Sequence, residues 1–250
     1  MSSYRNEWAW PRWILPLRVV GRCLPLFLRR AVRLGYRWWF TRGRNVNTPA
    51  YWDEVYATEA APRPGGERDY TSLHRAILQI VPVGSRVLDT GCGTGILALK
   101  LLHKGCKVMG LDFSERAVEI CRSQGIDARV CELPVIPTDV GVFDVAVCSE
   151  VLEHLDRPEQ MLTAMCRVVR VGGLIVISVP ADRTIDTYLA HVHFFGQKKD
   201  VLALMNRAVA EPKCIAVAIY GGPIDWTSKL YDSRSNRVSW LAWGRVASRA

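Results

Sequence analysis

Two acidic residues beside a glycine-rich turn are the groups of this chain best placed for ligand chemistry. Asp89 ends the apolar segment Val87-Leu88-Asp89, and the turn Gly91-Cys92-Gly93-Thr94-Gly95 follows almost directly. Asp112 ends a second apolar segment, Val108-Met109-Gly110-Leu111-Asp112. Glycines let a backbone approach a bound ligand closely, and an acid at the tip of the next strand can bind ribose hydroxyls. The pattern predicts a site for an adenosine-containing ligand.

The spacing of the glycines distinguishes this turn from a dinucleotide site. Dinucleotide sites use G-x-G-x-x-G and place a pyrophosphate at a helix N-terminus. Here Gly91, Gly93 and Gly95 alternate, and Asp89 stands two residues before the first of them. A carboxylate at that place would repel a pyrophosphate but would attract a cationic ligand. S-adenosylmethionine satisfies both requirements, because it carries an ammonium and a sulfonium group and no phosphate.

These segments resemble the class I S-adenosylmethionine-dependent methyltransferases. The likeness is closest to the type 11 branch, which includes quinone-biosynthesis methyltransferases and many small-molecule and sugar methyltransferases. It is carried by residues 87–95, 110–114, 132–154 and 170–180, where 150–154 reads Glu-Val-Leu-Glu-His. The resemblance implies S-adenosylmethionine as the cofactor, and it specifies the cofactor better than the acceptor.

The resemblance also implies a role for each residue around the cofactor. Asp89 and the turn would surround the methionine portion, and Asp112 would bind both ribose hydroxyls. Phe113 would lie against adenine, and Glu132, where many members have Asp, would accept from the adenine amino group. Two more residues, Ser149 and Glu150, would lie beside the cofactor. The complete expected set is Asp89, Gly91, Cys92, Gly93, Gly95, Asp112, Phe113, Glu132, Ser149 and Glu150.

Histidine is the expected acid–base group, because imidazole titrates near neutral pH. The candidates are His154, His191 and His193. Of the two in the loop after the fifth strand, we favour His193 over His191. His154 has a structural alternative, a hydrogen bond within its own loop. With a phenol as acceptor, a divalent ion could bind Glu150, Glu153 and His154. Glu153 and His154 could equally begin the next helix, so no residue is assigned to a metal.

The segments around these residues alternate between strand and helix. This alternation predicts a Rossmann-like, doubly wound α/β fold with a mostly parallel seven-stranded sheet and an N-terminal helical extension. The expected strands are 86–89, 107–112, 128–132, 143–149, 173–179, 214–220 and 238–243. The expected helices are 70–81, 95–103, 114–123, 157–170 and 197–209.

Residues 1–44 form a basic, tryptophan-rich extension. They contain ten arginines and one acid, so their net charge equals the +9 of the whole chain and the rest is neutral. Pro16, Pro25 and Gly35 predict two or three short helices rather than one. Arginines and apolar residues fall on different faces, which predicts docking on an anionic membrane surface. A helical lid over the active site is the main alternative, and a basic arm on a neutral domain makes nucleic acid a less favoured partner.

The sequence predicts three parts, which are the extension 1–44, a connector or lid 45–69 and the methyltransferase domain 70–250. Thr48 and Pro49 predict a helix start within the connector, where Trp52 and Tyr56 would either line the pocket or serve as ordinary packing residues.

The expected function is transfer of a methyl group to oxygen or carbon of a small, amphiphilic or lipid-linked acceptor, at the cytoplasmic face of a membrane. One alternative is a methyltransferase with a soluble sugar or natural-product acceptor, in which the extension is a lid. Another is a catalytically silent subunit that binds a partner. The oligomeric state stays open.

Overall fold

The computed structural model describes residues 25–42, 46–58, 70–181, 190–218 and 238–247. The chain divides into two compact units, residues 1–46 with 182–190 and residues 47–181 with 191–250. The boundaries predicted near residues 44 and 69 stay a prediction, although the start of the predicted connector helix belongs to the larger unit.

The larger unit is built on a seven-stranded sheet. Its strands are β1 (Arg86–Thr90), β2 (Lys107–Asp112), β3 (Asp127–Val130), β4 (Phe143–Ser149), β5 (Val169–Pro180), β6 (Ala210–Ala218) and β7 (Val238–Arg245). They lie side by side in the order β3-β2-β1-β4-β5-β7-β6. The pairs among β1 to β5 are parallel, and β7 is antiparallel to both β5 and β6. This arrangement confirms the predicted Rossmann-like, mostly parallel α/β fold.

Helices connect these strands. After helix α1 (Leu26–Thr41) of the smaller unit, they are α2 (Pro49–Thr58), α3 (Thr71–Ile80), α4 (Ile96–His103), α5 (Glu115–Ser123), α6 (Pro158–Val168) and α7 (Lys198–Met205). Short 3-10 turns span Thr138–Val140 and Leu152–His154. Ser114 caps α5, because its Oγ accepts a hydrogen bond from the Ala117 N–H at 3.0 Å. Such caps satisfy a backbone donor that the helix itself leaves unpaired.

The sheet has a buried apolar cluster on each face. In β4, Val145 and Val147 belong to one cluster, while Ala146 and Cys148 belong to the other. Successive side chains of a strand point to opposite faces, so a strand covered on both sides must be apolar throughout. This explains why β4 reads as a continuous apolar run rather than as an alternating pattern.

Several element boundaries differ from the predicted ones. The helix predicted over 157–170 ends at Val168, and β5 begins at Val169 with an irregularity that shifts its pairing from Phe143↔Val169 to Val145↔Leu174. Gly172, with φ of 75°, lies within this bulge. Strand β6 begins four residues earlier than predicted, at Ala210, because α7 ends at Met205.

The C-terminal strand is longer than its sequence suggested. It was predicted over 238–243, and β7 continues to Arg245. It pairs with β5 on one side and with β6 on the other. A strand that is hydrogen-bonded along both edges is stabilised by its neighbouring strands. Local sequence propensity does not include this stabilisation.

The smaller unit contributes helix α1, and here one prediction is wrong. Gly35 was expected to break the helix, but α1 runs unbroken from Leu26 to Thr41, with Pro25 as its N-cap. A glycine inside a helix costs only about 1 kcal/mol relative to alanine, which is not enough to end it. Among the described residues, no helix is long and apolar enough to cross a membrane. The predicted kink at Pro16 lies outside the described residues.

Candidate active site

The glycine turn connects β1 to α4 at the carboxyl edge of the parallel strands. The N–H groups of Gly91 and Cys92 both donate to the Leu111 carbonyl, at 2.6 and 3.0 Å, which fastens the turn to β2. Gly91 and Gly95 have φ angles of 74° and 83°. A Cβ on Gly91 would clash with the Val151 side chain, and one on Gly95 with Ile126. Both positions therefore require glycine.

Asp89 lies buried at the end of β1, with 2% of its surface exposed. Its Oδ2 has no hydrogen-bond partner. Burial raises the pKa of this carboxyl to about 7 from its ordinary 3.8, and the nearby Asp112 charge adds to the rise. An unpartnered buried carboxylate oxygen is costly, and a cationic ligand group would satisfy it. The residue present here fits the ammonium group of S-adenosylmethionine.

Asp112, at the end of β2, is held by the backbone on both sides. Its Oδ2 accepts from the Gly93 N–H at 2.8 Å and its Oδ1 accepts from the Ser114 N–H at 3.0 Å. Burial raises its pKa to about 6, although hydrogen bonds from Ser114, Gly93 and Phe113 oppose that rise. Each carboxylate oxygen retains a second lone pair. Asp112 is thus oriented against the turn, and its contact with ribose stays a prediction.

The other predicted cofactor residues lie around the same edge. Glu132 is exposed, two residues beyond the end of β3, and Phe113 is half-buried. The Ser149 hydroxyl lies 2.8 Å from that of Ser178, so it is engaged within the sheet. Glu150 has a left-handed backbone with φ of 57°, which is uncommon for a residue other than glycine and recurs at functional sites. None of these positions reveals a ligand contact, and their roles stay predictions.

A carboxylate and two imidazoles form a cluster beside the turn. Glu153, 1% exposed, has its Oε1 3.8 Å from His154 Nε2 and 3.9 Å from His191 Nε2. The two imidazole centroids are 4.9 Å apart. One ligand atom from each residue falls within 4.8 Å of the others. We call these three residues the acid–base cluster.

The acid–base cluster adjoins the cofactor turn. Val151, directly before the 3-10 turn that carries Glu153 and His154, packs against Gly91. Burial raises the pKa of the Cys148 thiol to about 12, and the charges of Glu153 and Asp89 both add to this rise. Glu153 and His154 belong to this 3-10 turn and not to α6, which begins at Pro158.

The histidine loop places His191 and His193 differently. The N–H groups of Val192 and His193 donate to the Glu153 carbonyl at 2.7 and 3.0 Å, which fastens the loop to the cluster. His193 Nε2 lies 2.9 Å from the Asp156 carbonyl, and its ring lies near Phe195. His191 therefore belongs to the acid–base cluster, whereas the His193 side chain is hydrogen-bonded at Asp156, and the order of the two in acid–base chemistry stays a prediction. The position of a histidine in this loop does not indicate whether its imidazole points toward Glu153.

Helix α2, from the predicted connector, lies over this edge. Tyr56 Oη lies 3.2 Å from the place where a Cβ on Gly93 would be. The Trp52 ring contacts His154 edge-on, with centroids 5.2 Å apart. Both aromatic residues therefore face the site. Asn47 and Asp53, which contact His154 and Ser114, are not among the residues predicted from the sequence, because short polar residues in a connector carry no distinguishing signal.

Comparisons with known proteins agree with the geometry. Residues 88–177 match the family model described as a methyltransferase domain. The ubiquinone biosynthesis O-methyltransferase of Bordetella avium is 34% identical over 102 residues, 38% of this chain and 42% of that protein. That of Dechloromonas aromatica is 34% identical over 113 residues, 42% of this chain and 48% of that protein. The chain thus spans about half the length of these curated relatives.

Solved structures share the fold. The N-methyltransferase NodS of Bradyrhizobium japonicum, in complex with S-adenosyl-L-homocysteine, aligns with a TM-score of 0.58 at 20% identity, over 81% of this chain and all of that one (100%). A S-adenosylmethionine-dependent methyltransferase of Thermotoga maritima aligns with a TM-score of 0.53 at 21% identity, over 84% of this chain and 99% of that one.

Proposed function

We propose that the chain is a class I S-adenosylmethionine-dependent methyltransferase and that it transfers a methyl group from S-adenosylmethionine to a hydroxyl oxygen of a small, amphiphilic acceptor. The observation that carries the proposal is the shared location of two groups of residues. The glycine turn with Asp89 and Asp112 lies beside the acid–base cluster, with Val151 packed on Gly91 between them. A methyl donor and a proton acceptor would thus meet at one edge of the sheet.

On the cofactor side, two carboxylates would bind polar groups of S-adenosylmethionine. When bound, S-adenosylmethionine supplies an already activated methyl group, so the protein's main task is to position the acceptor. Asp89 would bind the ammonium group with its unpartnered Oδ2. Asp112 would bind the ribose hydroxyls from a carboxylate that two backbone N–H groups already hold in place.

The acceptor side supplies the base. A hydroxyl acceptor must lose its proton as its oxygen takes the methyl group, and His191 or His154 would receive that proton. Glu153, buried between their Nε2 atoms at 3.8 and 3.9 Å, would stabilise the imidazolium that results. His193, hydrogen-bonded at the Asp156 carbonyl, would hold the loop rather than take the proton.

The acid–base cluster also offers a second route for the proton. Two imidazoles and a carboxylate are ligands that divalent ions accept, and their ligand atoms lie within 4.8 Å of one another. We propose the metal-free route, in line with the sequence analysis. Dialysis against EDTA tests it, because a chelated enzyme should keep its turnover number. Loss of turnover that Mg²⁺ or Zn²⁺ restores would replace the metal-free route with the metal-assisted one.

The extension would bring the enzyme to an amphiphilic acceptor. Helix α1 exposes five large apolar side chains, each 39% to 69% exposed: Phe27, Leu28, Leu34, Trp38 and Trp39. Arg42 stacks on the last two rings, at 5.9 and 5.1 Å. Aromatic rings beside arginines suit the headgroup region of an anionic membrane. The curated relatives' names, which place them in ubiquinone biosynthesis, support an acceptor that is itself amphiphilic.

Two experiments test the proposal. Calorimetry should show S-adenosylmethionine binding, and methyl-labelled cofactor should yield a labelled, organic-extractable product with amphiphilic phenols. Absence of turnover with every acceptor would favour the silent-subunit alternative.

Flotation with phosphatidylglycerol-containing vesicles tests the docking. The native chain should float, and the double variant Trp38→Ser, Trp39→Ser should float less. Equal flotation would rule out docking through α1, and flotation of neither protein would favour the lid alternative for the extension.

A further inference from the structure

Helix α2 binds both parts of the candidate site. Its Asp53 and Tyr56 contact the cofactor side, while Trp52 and the preceding Asn47 contact the acid–base side. A ten-residue helix is a rigid element, so a constraint at one side is transmitted to the other. The contacts at each side show which residues of the site the helix holds in place.

On the cofactor side, Asp53 binds the N-terminus of α5. Its Oδ1 accepts from the Ser114 hydroxyl at 2.5 Å and from the Arg116 N–H at 3.2 Å. The N–H of the same Ser114 donates to Asp112. A carboxylate is favourable at a helix N-terminus, where backbone N–H groups lack partners. Asp53 therefore anchors α2 to the residue that also orients Asp112.

On the acid–base side, His154 is held from two directions. Asn47 Nδ2 donates to the His154 carbonyl at 3.1 Å, and the Trp52 ring packs edge-on against the imidazole at 5.2 Å. The Trp52 indole N–H reaches Asn47 Oδ1 at 3.4 Å, which links the two holding residues. His154 also contacts the His191 ring. Asn47 and Trp52 thus hold both the backbone and the ring of His154.

We propose that Asn47, Trp52 and Asp53 are positioning residues for methyl transfer, and that α2, anchored on α5 by Asp53, orients His154 toward the acceptor. The inference rests on the proposed function, in which His154 belongs to the group that receives the acceptor's proton. None of the three residues needs to touch the acceptor. A displacement of about 1 Å of a reacting group can lower a rate about 100-fold, so loss of the anchor should act on catalysis.

The test combines kinetics with a measurement that needs no turnover. The His154 imidazole signals are assigned by NMR in the cofactor-free, full-length protein and followed in Asp53→Ala, Asp53→Asn and Asn47→Asp. Asn47→Asp keeps an acceptor for Trp52 but removes the amide that donates to His154. Glu119→Gln on α5 is the matched control, because it removes an exposed carboxylate paired with Arg116 at 3.1 Å.

We expect Asp53→Ala and Asn47→Asp to shift the His154 signals and to lower kcat about 10- to 100-fold, with little change in the KM for the acceptor. Asp53→Asn, which keeps an oxygen acceptor for Ser114, should recover most of the rate. Glu119→Gln should match the native protein in both measurements. Unfolding temperatures identify any variant whose loss comes from the fold, and Trp52→Phe then replaces it.

The proposal is overturned if the His154 signals stay in place in Asp53→Ala and Asn47→Asp. It is also overturned if kcat in these variants equals that of Glu119→Gln. Failure of the proposed function has a different signature, because a native protein without turnover would still show the signal shifts.

Discussion

The two edges of the central sheet use the same residue type in opposite ways. At the amino edge, Asp144 on β4 accepts from Arg170 Nε at 2.7 Å and from the Arg86 N–H at 2.8 Å. These hydrogen bonds, that from Arg170 first, hold its pKa below the ordinary value. At the carboxyl edge, Asp89 is buried without a partner for one oxygen, and burial raises its pKa to about 7.

The difference separates a carboxylate whose partners lie within the protein from one that the protein leaves partly without partners. Asp144 is ionised at low energetic cost, since cationic and backbone donors surround it, and it joins β1, β4 and β5. Asp89 and Asp112 are ionised against burial. Groups whose pKa values burial displaces tend to belong to functional sites. The amino edge is therefore the structural edge, and the carboxyl edge is where ligands of such sheets bind.

The largest expected effect is on kcat, which should fall only when a residue at the carboxyl edge is replaced. His191→Gln at the carboxyl edge should lower kcat about 100- to 1000-fold, because a general base contributes about that much. His103→Gln is the matched control, an exposed histidine at the end of α4. Steady-state kinetics with the best acceptor measures both. Equal rates in the two variants would remove His191 from the chemistry.

The next effect concerns cofactor affinity. Asp112→Ala should raise the Kd for S-adenosylmethionine about 100-fold, since two hydrogen bonds to a charged acceptor are worth about 3 kcal/mol together. Asp144→Ala should leave this Kd within about twofold, because surface ion pairs reach ligands only weakly. Calorimetry on both variants is the measurement. Unchanged binding in Asp112→Ala would contradict the assigned ribose contact.

A smaller effect appears in the pH dependence of binding. The Asp89 carboxyl, whose pKa is about 7, must be ionised to attract the ammonium group. Affinity should therefore be full above pH 7 and should fall about tenfold for each pH unit below it. Asp89→Asn should bind more weakly with a flatter profile. A native profile that stays flat from pH 5.5 to 8 would argue against Asp89 as the binding group.

The smallest effect is on stability, and its sign differs between the edges. Asp144→Asn should lower the free energy of unfolding by about 1 kcal/mol at pH 7, the upper range for an exposed pair. Because its folded pKa is lowered, this contribution exists above pH 4 and disappears on acidification. Asp89→Asn should instead stabilise the cofactor-free protein at pH 8, where the native carboxylate is ionised against burial. Urea unfolding at pH 5.5 and 8 compares them.

Local patterns were sufficient for most of the fold. Each strand from β1 to β4 was predicted within two residues, because its apolar run ends at a glycine, an acid or a polar turn. The same patterns predicted the glycine turn and the two acids beside it. The start of β5 was missed, because the bulge at Gly172 depends on pairing with β4. The prediction that Gly35 breaks the helix is wrong, because one glycine costs too little free energy to end a sixteen-residue helix.

The sequence by itself determined the alternating α/β fold, the turn that only glycines can form and the acids at the ends of β1 and β2. These follow from short-range sterics and from apolar periodicity, and both depend only on residues that are close in sequence. Only the tertiary structure decided that His191, and not His193, joins Glu153 and His154, and that Asn47 and Asp53 bind the site. Those contacts join residues that are 37 to 107 positions apart along the chain. Packing brings them together, and no local pattern encodes their orientation.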